Sequence, residues 1–260
     1  MLGPVLSSEF LKLRRSRITW LSWLVFSILP LAAGLFMWIA SDPERAAQMG
    51  LLGQKSQLTG MSPDWPSFFT LLIQEAGAGG MVLLAVIAAY VFGREYSEGT
   101  AKDMLVLPVA RHWFVVAKLA VVFVWFGVLT VLFLAEAFVV GAVLGIQGFS
   151  LSLALSQGGG VLLAGLLGFL LVPVVTWIAT LGRGYLAPIG FTIFMLLMGN
   201  IMGATGWGKW FPWSIVPMLA GMAGPRTEVL APGSLVVVGL TFVVGVALTL
   251  WQFRYADNTQ

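Results

Sequence analysis

Long apolar segments with almost no charge recur along this chain, and they restrict its fold more than any other feature. A membrane-crossing helix needs about 20 predominantly apolar residues. The segments that meet this requirement are roughly 19–40, 69–92, 114–140, 158–181, 186–205 and 233–253. They lack the strict alternation of the shorter spans of a β-barrel. We therefore predict an all-α integral membrane protein, with residues 1–260 forming a single domain of six transmembrane helices.

Composition agrees with this class and excludes several kinds of function. Hydrophobic residues make up 59% of the chain and charged residues only 10%, whereas soluble domains carry about 25% charged residues. The absence of cysteine excludes disulfides, thiol nucleophiles and zinc–thiolate sites. The single histidine, His112, has no clustered ligands, so we expect no metal site. No basic surface interleaved with aromatic residues indicates nucleic-acid binding.

The distribution of Lys and Arg predicts the orientation. Basic residues accumulate in the loops on the cytoplasmic side of membrane proteins. With the N-terminus inside, ten of the 14 Lys and Arg residues face the cytoplasm. Both termini are therefore predicted to be cytoplasmic.

The segment at residues 1–18 is more than a charged flank. Apolar residues recur there at helical spacing, and Glu9, Lys12, Arg14 and Arg15 supply charges beside Phe10. This pattern is typical of an amphipathic helix lying in the cytoplasmic interface. The alternative, a positive flank that only orients the first span, explains the basic residues but not the apolar spacing.

A charged loop separates the second and third apolar segments. Thr100 and Asp103 form a T-x-x-D capping box that predicts a helix start, and Gly99 before it permits a turn. The predicted helix covers about two turns up to Leu107, and Pro108 ends it. Two turns are not stable alone in water, so its apolar residues Met104, Leu105 and Leu107 need cover from the membrane surface or from a partner protein.

Three motifs resemble one family. These motifs are residues 92–100 with 105–111 and 117–118 (FGREYSEGT, LVLPVAR and AK), residues 8–16 (SEFLKLRRS) and residues 209–213 (KWFPW). Together they are similar to type-2 ATP-binding-cassette (ABC) export permeases, in span number and loop order along the whole chain. The nearest branch is the bacterial one associated with drug, bacteriocin-type peptide or ion export.

The resemblance implies an assembly of two membrane permease subunits and two cytosolic ATPase subunits. The short helix in the loop at 93–113 would be a coupling helix seated in a groove of the ATPase, and segment 1–18 an elbow helix that touches it. Residues Met104, Leu105 and Leu107 would fill the groove. Polar contacts at its rim would come from Glu95, Glu98, Lys102 and Arg111. The alternative is a loop lying on lipid headgroups, which the acidic residues Glu95, Glu98 and Asp103 oppose, because anionic lipids repel them.

ATP and magnesium are expected on the partner subunit, since the chain has no convincing site for them. Gly203–Lys209 matches G-x-x-x-x-G-K, but Trp210 follows where a phosphate-binding loop needs Ser or Thr. The chain is therefore expected to carry no cofactor and to have no catalytic residue. The resemblance further implies the bacterial cytoplasmic membrane. A homodimer is the simplest assembly, and a second, different permease chain is equally compatible.

Residues 206–232 form a broken apolar segment with a Trp-rich start. Trp207, Trp210, Phe211 and Trp213 favour the depth of the lipid headgroups. We predict an extracellular interfacial or re-entrant segment.

The pairs Gly141–Gly145 and Gly199–Gly203 permit close helix approach, and internal packing is favoured over a dimer contact.

Two carboxylates, Glu75 and Glu136, lie within or beside apolar segments. Counted along a helix at 1.5 Å per residue, both lie near the outer boundary of the membrane. They are candidates for the outer part of a translocation path that attracts a cationic substrate. The alternative is that both simply reach outer headgroup water.

Three function classes are open to a membrane protein of this kind. A membrane subunit of an ATP-driven exporter is favoured, with a drug, peptide, lipid or ion as its substrate. A secondary transporter or channel acting alone predicts broken helices in paired halves, or polar groups at mid-membrane, and the segments show few such groups. An intramembrane enzyme requires a clustered catalytic site, which the chain lacks.

Overall fold

Helices account for almost all of the structure. The computed structural model describes residues 2–42, 62–100, 109–223 and 231–255, together with residues 44, 48, 50 and 229. Within these ranges the only β-contact is an isolated bridge between Asp64 and Gln147. The helices are α1 (Leu2–Arg14), α2 (Arg17–Ser41), α3 (Trp65–Ser97), α4 (Arg111–Val143), α5 (Leu151–Leu181), α6 (Leu186–Ala204), α7 (Ile215–Leu219) and α8 (Pro232–Tyr255).

Six of these helices, α2 to α6 and α8, are long and apolar enough to cross a membrane. The prediction of an all-α membrane protein with six spans is therefore confirmed. Several helices are longer than the apolar segments, most clearly α3 and α5. They extend to polar caps: the Asp64 carboxylate accepts from the Ser67 amide at 2.8 Å, and the Ser150 hydroxyl accepts from the Leu153 amide at 3.2 Å. A helix begins where its first free amides find side-chain acceptors. The hydrophobicity of a segment does not reveal such capping residues.

The second span, α3, is the centre of the bundle. Of its most apolar 18-residue window, 72% is buried inside the chain, against 22% for the corresponding windows of α6 and α8. Its buried residues Phe68, Phe69 and Phe92 belong to the main core, with Phe26 from α2 and Phe133 from α4. The peripheral spans leave wide apolar faces exposed, as expected where lipid or another chain covers them.

The described part of the segment at 206–232 folds back onto the spans. It consists of two 3-10 turns, Gly208–Trp210 and Pro212–Ser214, followed by α7. Gly199 and Gly203 of α6 face the backbone of this segment, so their G-x-x-x-G pair serves internal packing, as favoured from the sequence. Gly141 likewise packs against the ring of Trp65. The position of the segment relative to a membrane surface stays a prediction.

Candidate functional site

The N-terminal helix α1 packs across the start of the third span. Its buried residues are Val5, Glu9 and Leu13, which are spaced four residues apart and therefore share one face. Val5 lies in a small apolar cluster with Phe114 and Ala117 of α4. This apolar contact fixes α1 against α4 and turns the Glu9 carboxylate inward.

A buried cluster of ion pairs joins α1, α3 and α4, and Lys118 lies at its centre. The Lys118 ammonium is 2.9 Å from Glu9 Oε2 and 2.7 Å from Glu95 Oε1. It also donates a hydrogen bond to the Val91 carbonyl at 2.8 Å. Among the described residues, Glu9, Glu95 and Lys118 are the only charged residues that are buried. Three helices thus share one enclosed cation.

Lys12 completes the cluster from its open side. Its ammonium lies 2.6 Å from Glu9 Oε1 and 3.1 Å from Glu95 Oε1. The Lys12 side chain is 36% exposed, whereas that of Lys118 is 1% exposed. Two carboxylates and two ammonium groups make the cluster neutral overall, and we name these four residues, Glu9, Lys12, Glu95 and Lys118, the four-charge cluster. Its one unsatisfied acceptor is Glu95 Oε2, which is buried without a hydrogen-bond partner.

The two members on α1 have shifted pKa values. Burial opposes ionisation of Glu9, but the charges and hydrogen bonds of Lys118 and Lys12 outweigh it, so the pKa of Glu9 lies below its ordinary value of 4.5. Burial also opposes the charged form of Lys12, yet Glu9 and Glu95 outweigh it and raise the pKa of Lys12 above 10.5. Both shifts favour the ionised forms. Glu9 and Lys12 are therefore charged at neutral pH.

The position of Glu95 differs from the expectation that it contacts a partner at the rim of a groove. Its side chain is 5% exposed and points inward to Lys118. The reason is that α3 continues through Ser97, so Glu95 lies on a helix face that α1 and α4 cover. Glu95 is a buried anchor of the loop within this chain.

The other predicted site residues that the structure describes around the loop are partly or fully exposed. Arg94 and Glu98 form an exposed pair at 3.0 Å, one helical turn apart. Gly99 has a φ of +71°, which fits the turn predicted there because glycine tolerates this conformation. Thr100 is half-buried.

Arg111 lies at the far end of the loop, and its guanidinium has partners inside the chain. It donates hydrogen bonds to the carbonyls of Phe253 and Arg254, both at 3.1 Å. These carbonyls belong to the last turn of α8, where a cation also complements the helix dipole. Arg111 thus ties the loop to the end of the last span, and this contact competes with its predicted contact with an ATPase.

The predicted coupling helix itself lies outside the described residues. This applies to Lys102, Met104, Leu105, Leu107 and Pro108, and also to Asp103. Their predicted roles therefore stay predictions. The structure does describe both ends of the loop, Glu98–Thr100 and Val109–Ala110.

Within segment 1–18 the expected helix is present as α1. Phe10 is half-buried against the main core, and Arg14 and Arg15 are exposed at its C-terminal end. Glu9 and Lys12 belong to the four-charge cluster. The location of α1 in a membrane interface stays a prediction.

The structure keeps the carboxylates Glu75 and Glu136 apart. Glu136 accepts a hydrogen bond from the Ser27 hydroxyl at 2.8 Å. Glu75 lies one turn from Gly79, which packs against Leu29, and its Oε2 is buried without a hydrogen-bond partner. Ser27 and Leu29 are about 200° apart around α2, so the two carboxylates lie on different sides of the first span.

Sequence reasoning missed the role of Lys118. One signal could have revealed it: Glu95 and Lys118 are each within about two turns of the loop, at matching depth on adjacent helices. The four-charge cluster joins α1, α3 and α4 through ion pairs and so connects the helices on either side of the loop. In the described part of the chain no group of three or more His, Asp or Glu side chains converges as a metal site.

Comparison with known proteins places the chain in context. A family model described as "ABC-2 family transporter protein" matches residues 5–199. The chain is also 31% identical over 179 residues to the bacitracin transport permease protein BCRB of Bacillus licheniformis. That alignment covers 68% of this chain and 85% of the relative. The family-model match, over residues 5–199, includes most of α1, the four-charge cluster and the spans α2 to α5.

Proposed function

The chain belongs to the ABC-2 transporter family, and from this premise we propose that it couples ATP hydrolysis on a separate cytosolic ATPase to export of a substrate. As a member, it is a multi-pass membrane subunit of an ABC transporter, and the family implies a cytosolic ATPase partner. The proposed part is the coupling: the direction of transport, the assembly and the route by which the ATPase acts on the spans.

The four-charge cluster is the observation that carries this proposal. It joins α3 just before the loop, α4 just after the loop, and α1 beside both. Removal of one partner from a buried ion pair leaves an uncompensated charge and lowers stability by about 3–5 kcal/mol. The two ends of the loop are therefore held together, so that a displacement of the loop moves α1, α3 and α4 as a unit.

The proposed assembly contains two copies of this chain and two ATPase subunits. Residues 101–107 would form the coupling helix, with Met104, Leu105 and Leu107 in a groove of the ATPase. Lys102 and Glu98 would contact its rim, and Pro108 would end the helix. ATP and magnesium would be bound by the ATPase. Helix α1 would be the elbow helix in the cytoplasmic interface, and its exposed Arg14 and Arg15 would face lipid headgroups or the ATPase.

The proposed location is the bacterial cytoplasmic membrane, with both termini in the cytoplasm. The excess of Lys and Arg on that side supports this orientation. The four-charge cluster and the Arg111 contact with α8 would then lie at the cytoplasmic ends of the spans. The segment at 206–232 would lie at the extracellular surface.

The proposed substrate class is a drug, peptide, lipid or ion, and the relative named as a bacitracin transport permease favours an antibiotic peptide. Glu75 is our candidate for the translocation path, because its carboxylate has an enclosed oxygen with no hydrogen-bond partner. Glu136 is a second candidate. The structure separates the two carboxylates, so they would contact the transported molecule at different points.

The proposed coupling is tested by co-purification. The chain is co-expressed with the ATPase encoded beside its gene and purified through a tag on the chain, as wild type and with Leu105→Asp and Leu107→Asp combined. We expect an active ATPase to co-purify with the wild type and the double change to abolish this, because it places two charges on the apolar face. Leu105→Met with Leu107→Met is the matched control, since it keeps the face apolar at similar volume.

Each outcome has a distinct meaning. Loss of the ATPase with the Asp pair and retention with the Met pair would support the coupling helix. A wild-type chain that brings down no ATPase in mild detergent would contradict the proposal and favour an autonomous transporter or channel. An ATPase that stays bound to the Asp pair would show that this loop is not the docking element.

A further inference from the structure

An open groove runs between the first and third spans. Near the end of α4 it holds a hollow of about 380 Å³. The hollow is lined by Ser27, Leu31, Ala135, Glu136, Val139 and Val140. Leu31 and Val139 are well exposed on its walls, so the hollow opens sideways from the bundle.

A second hollow continues the groove between the same two helices. It measures about 300 Å³ and is bordered by Trp20 and Trp23 of α2 and by Trp125, Val128 and Leu132 of α4. The Trp125 indole donates to the Ser22 hydroxyl at 3.0 Å, which satisfies the polar group in its wall. From Trp20 to Leu31 the groove extends about 16 Å at 1.5 Å per residue. The two hollows follow one another along the same pair of helices without sharing a lining residue, and together we name them the α2–α4 groove.

Among the residues that the structure describes, Glu136 is the one charged residue that lines this groove. It receives a single hydrogen bond, from Ser27 at 2.8 Å, and forms no ion pair with any Lys or Arg that the structure describes. Ionisable residues within spans are costly and usually pair with an opposite charge. A carboxylate that faces an open apolar groove without a cation therefore indicates that the missing charge comes from outside the chain.

The depth of Glu136 in the membrane determines which kind of ligand can contact its carboxylate. Glu136 lies seven residues before Val143, the last residue of α4, and so about 10 Å from the helix end. Because α4 has 33 residues, it is about 50 Å long and exceeds the hydrocarbon core of about 30 Å. Glu136 thus lies near the boundary of the hydrocarbon core, where polar heads meet apolar chains.

We propose that the α2–α4 groove binds a cationic amphiphile, with its ammonium head on Glu136 and Ser27 and its alkyl chain along the groove. Charge complementarity selects the head, because ammonium donors form charge-assisted hydrogen bonds with a carboxylate. The apolar walls select the chain. A neutral amphiphile would leave the carboxylate unpaired, and an anionic one would be repelled. This binding is independent of ATP coupling.

The test uses two photoactivatable probes, a long-chain primary amine and the alcohol with the same alkyl chain, each carrying a diazirine on the chain. The full chain is reconstituted in phosphatidylcholine nanodiscs, irradiated with each probe and mapped by peptide mass spectrometry. We expect the amine to label residues 20–31 and 125–139 roughly tenfold more than the alcohol, the size of one charged hydrogen bond. Glu136→Gln should lower amine labelling to the level of the alcohol.

Control variants separate the ligand from general damage. Val244→Ala, at an exposed position on α8, should leave labelling of the groove unchanged. Leu31→Trp fills the hollow and should block labelling by both probes. If Glu136→Gln does not fold, as judged by size-exclusion chromatography, the comparison of amine with alcohol on the wild type and on Leu31→Trp still decides.

Three results would overturn the inference. The first is equal labelling by amine and alcohol in the wild type, which would make the groove a simple apolar surface. The second is amine labelling that a folded Glu136→Gln variant leaves unchanged. The third is a disulfide between chains that carry Ser27→Cys and Val139→Cys, together with no labelling, which would show that a second copy of this chain occupies the groove.

Discussion

Replacing Lys118 with methionine removes the central cation of the four-charge cluster while keeping an unbranched apolar side chain. Glu9 and Glu95 would then share only Lys12, whose side chain is 36% exposed. The Val91 carbonyl would also lose its hydrogen bond from Lys118. We expect Lys118→Met to destabilise the bundle and to uncouple the loop from α1.

The expected magnitude follows from burial. Removal of one partner from a buried ion pair costs about 3–5 kcal/mol, and Lys118 is only 1% exposed with two carboxylates in contact. For chains of 150–250 residues, 1 kcal/mol shifts the melting temperature by about 2–4 °C. We therefore expect the Tm of Lys118→Met to fall by at least about 6 °C.

The assay is thermal unfolding of the purified chain in mild detergent, followed by size-exclusion chromatography. A second variant, Glu9→Gln with Lys118→Met, leaves Glu95 and Lys12 as a neutral pair. We expect it to lose less stability than Lys118→Met alone, which is the signature of coupling between sites. Arg15→Met is the matched control, because Arg15 is exposed and surface charges contribute at most about 1 kcal/mol.

Two results would refute this reasoning. One is a Tm for Lys118→Met that lies within the shift of Arg15→Met. The other is a double variant that is less stable than Lys118→Met by the full effect of Glu9→Gln, since additivity would mean that the two charges do not interact.

Two further predictions follow from the same contacts. The folded-state pKa of Glu9 lies below 4.5. Its contribution to stability is therefore present above pH 4.5 and is lost as the pH falls through the lowered value. The Tm of the wild type should drop in acid, and more steeply than the Tm of Glu9→Gln. Gly199→Ala would place a Cβ 2.8 Å from the Trp213 carbonyl carbon, whereas the Cβ of Gly239→Ala would meet open space. We expect Gly199→Ala to lower the free energy of unfolding by about 1–3 kcal/mol. We expect Gly239→Ala to leave the free energy of unfolding unchanged or to raise it, and the same thermal assay measures both variants.

The architecture follows from the sequence because hydrophobicity acts on whole segments. A span needs only a sufficient length of apolar residues, and segments 69–92 and 114–140 satisfy this without reference to neighbours. The ends of α3 and α5 were less predictable, since caps such as Asp64 and Ser150 lie outside the apolar windows. The family motifs around the loop also led to the correct family.

The orientation of individual charges was not predictable in the same way. Glu95 and Glu98 are three residues apart in one motif, yet Glu95 is buried and Glu98 is exposed. The difference arises from α1 and α4, which cover only one face of the end of α3. A single sequence indicates that charges lie near a loop, but their burial depends on partners as far away as Glu9, 109 residues from Lys118.

That separation also imposes an order on biogenesis. The ribosome makes Glu9 and Lys12 first and Glu95 much later, and Lys118 arrives only with the third span. Before that point the two acids share the single ammonium of Lys12, so the nascent intermediate carries an excess negative charge where α1 meets α3. Insertion of the third span neutralises it. A chain truncated before residue 118 should therefore retain its first two spans but leave α1 undocked.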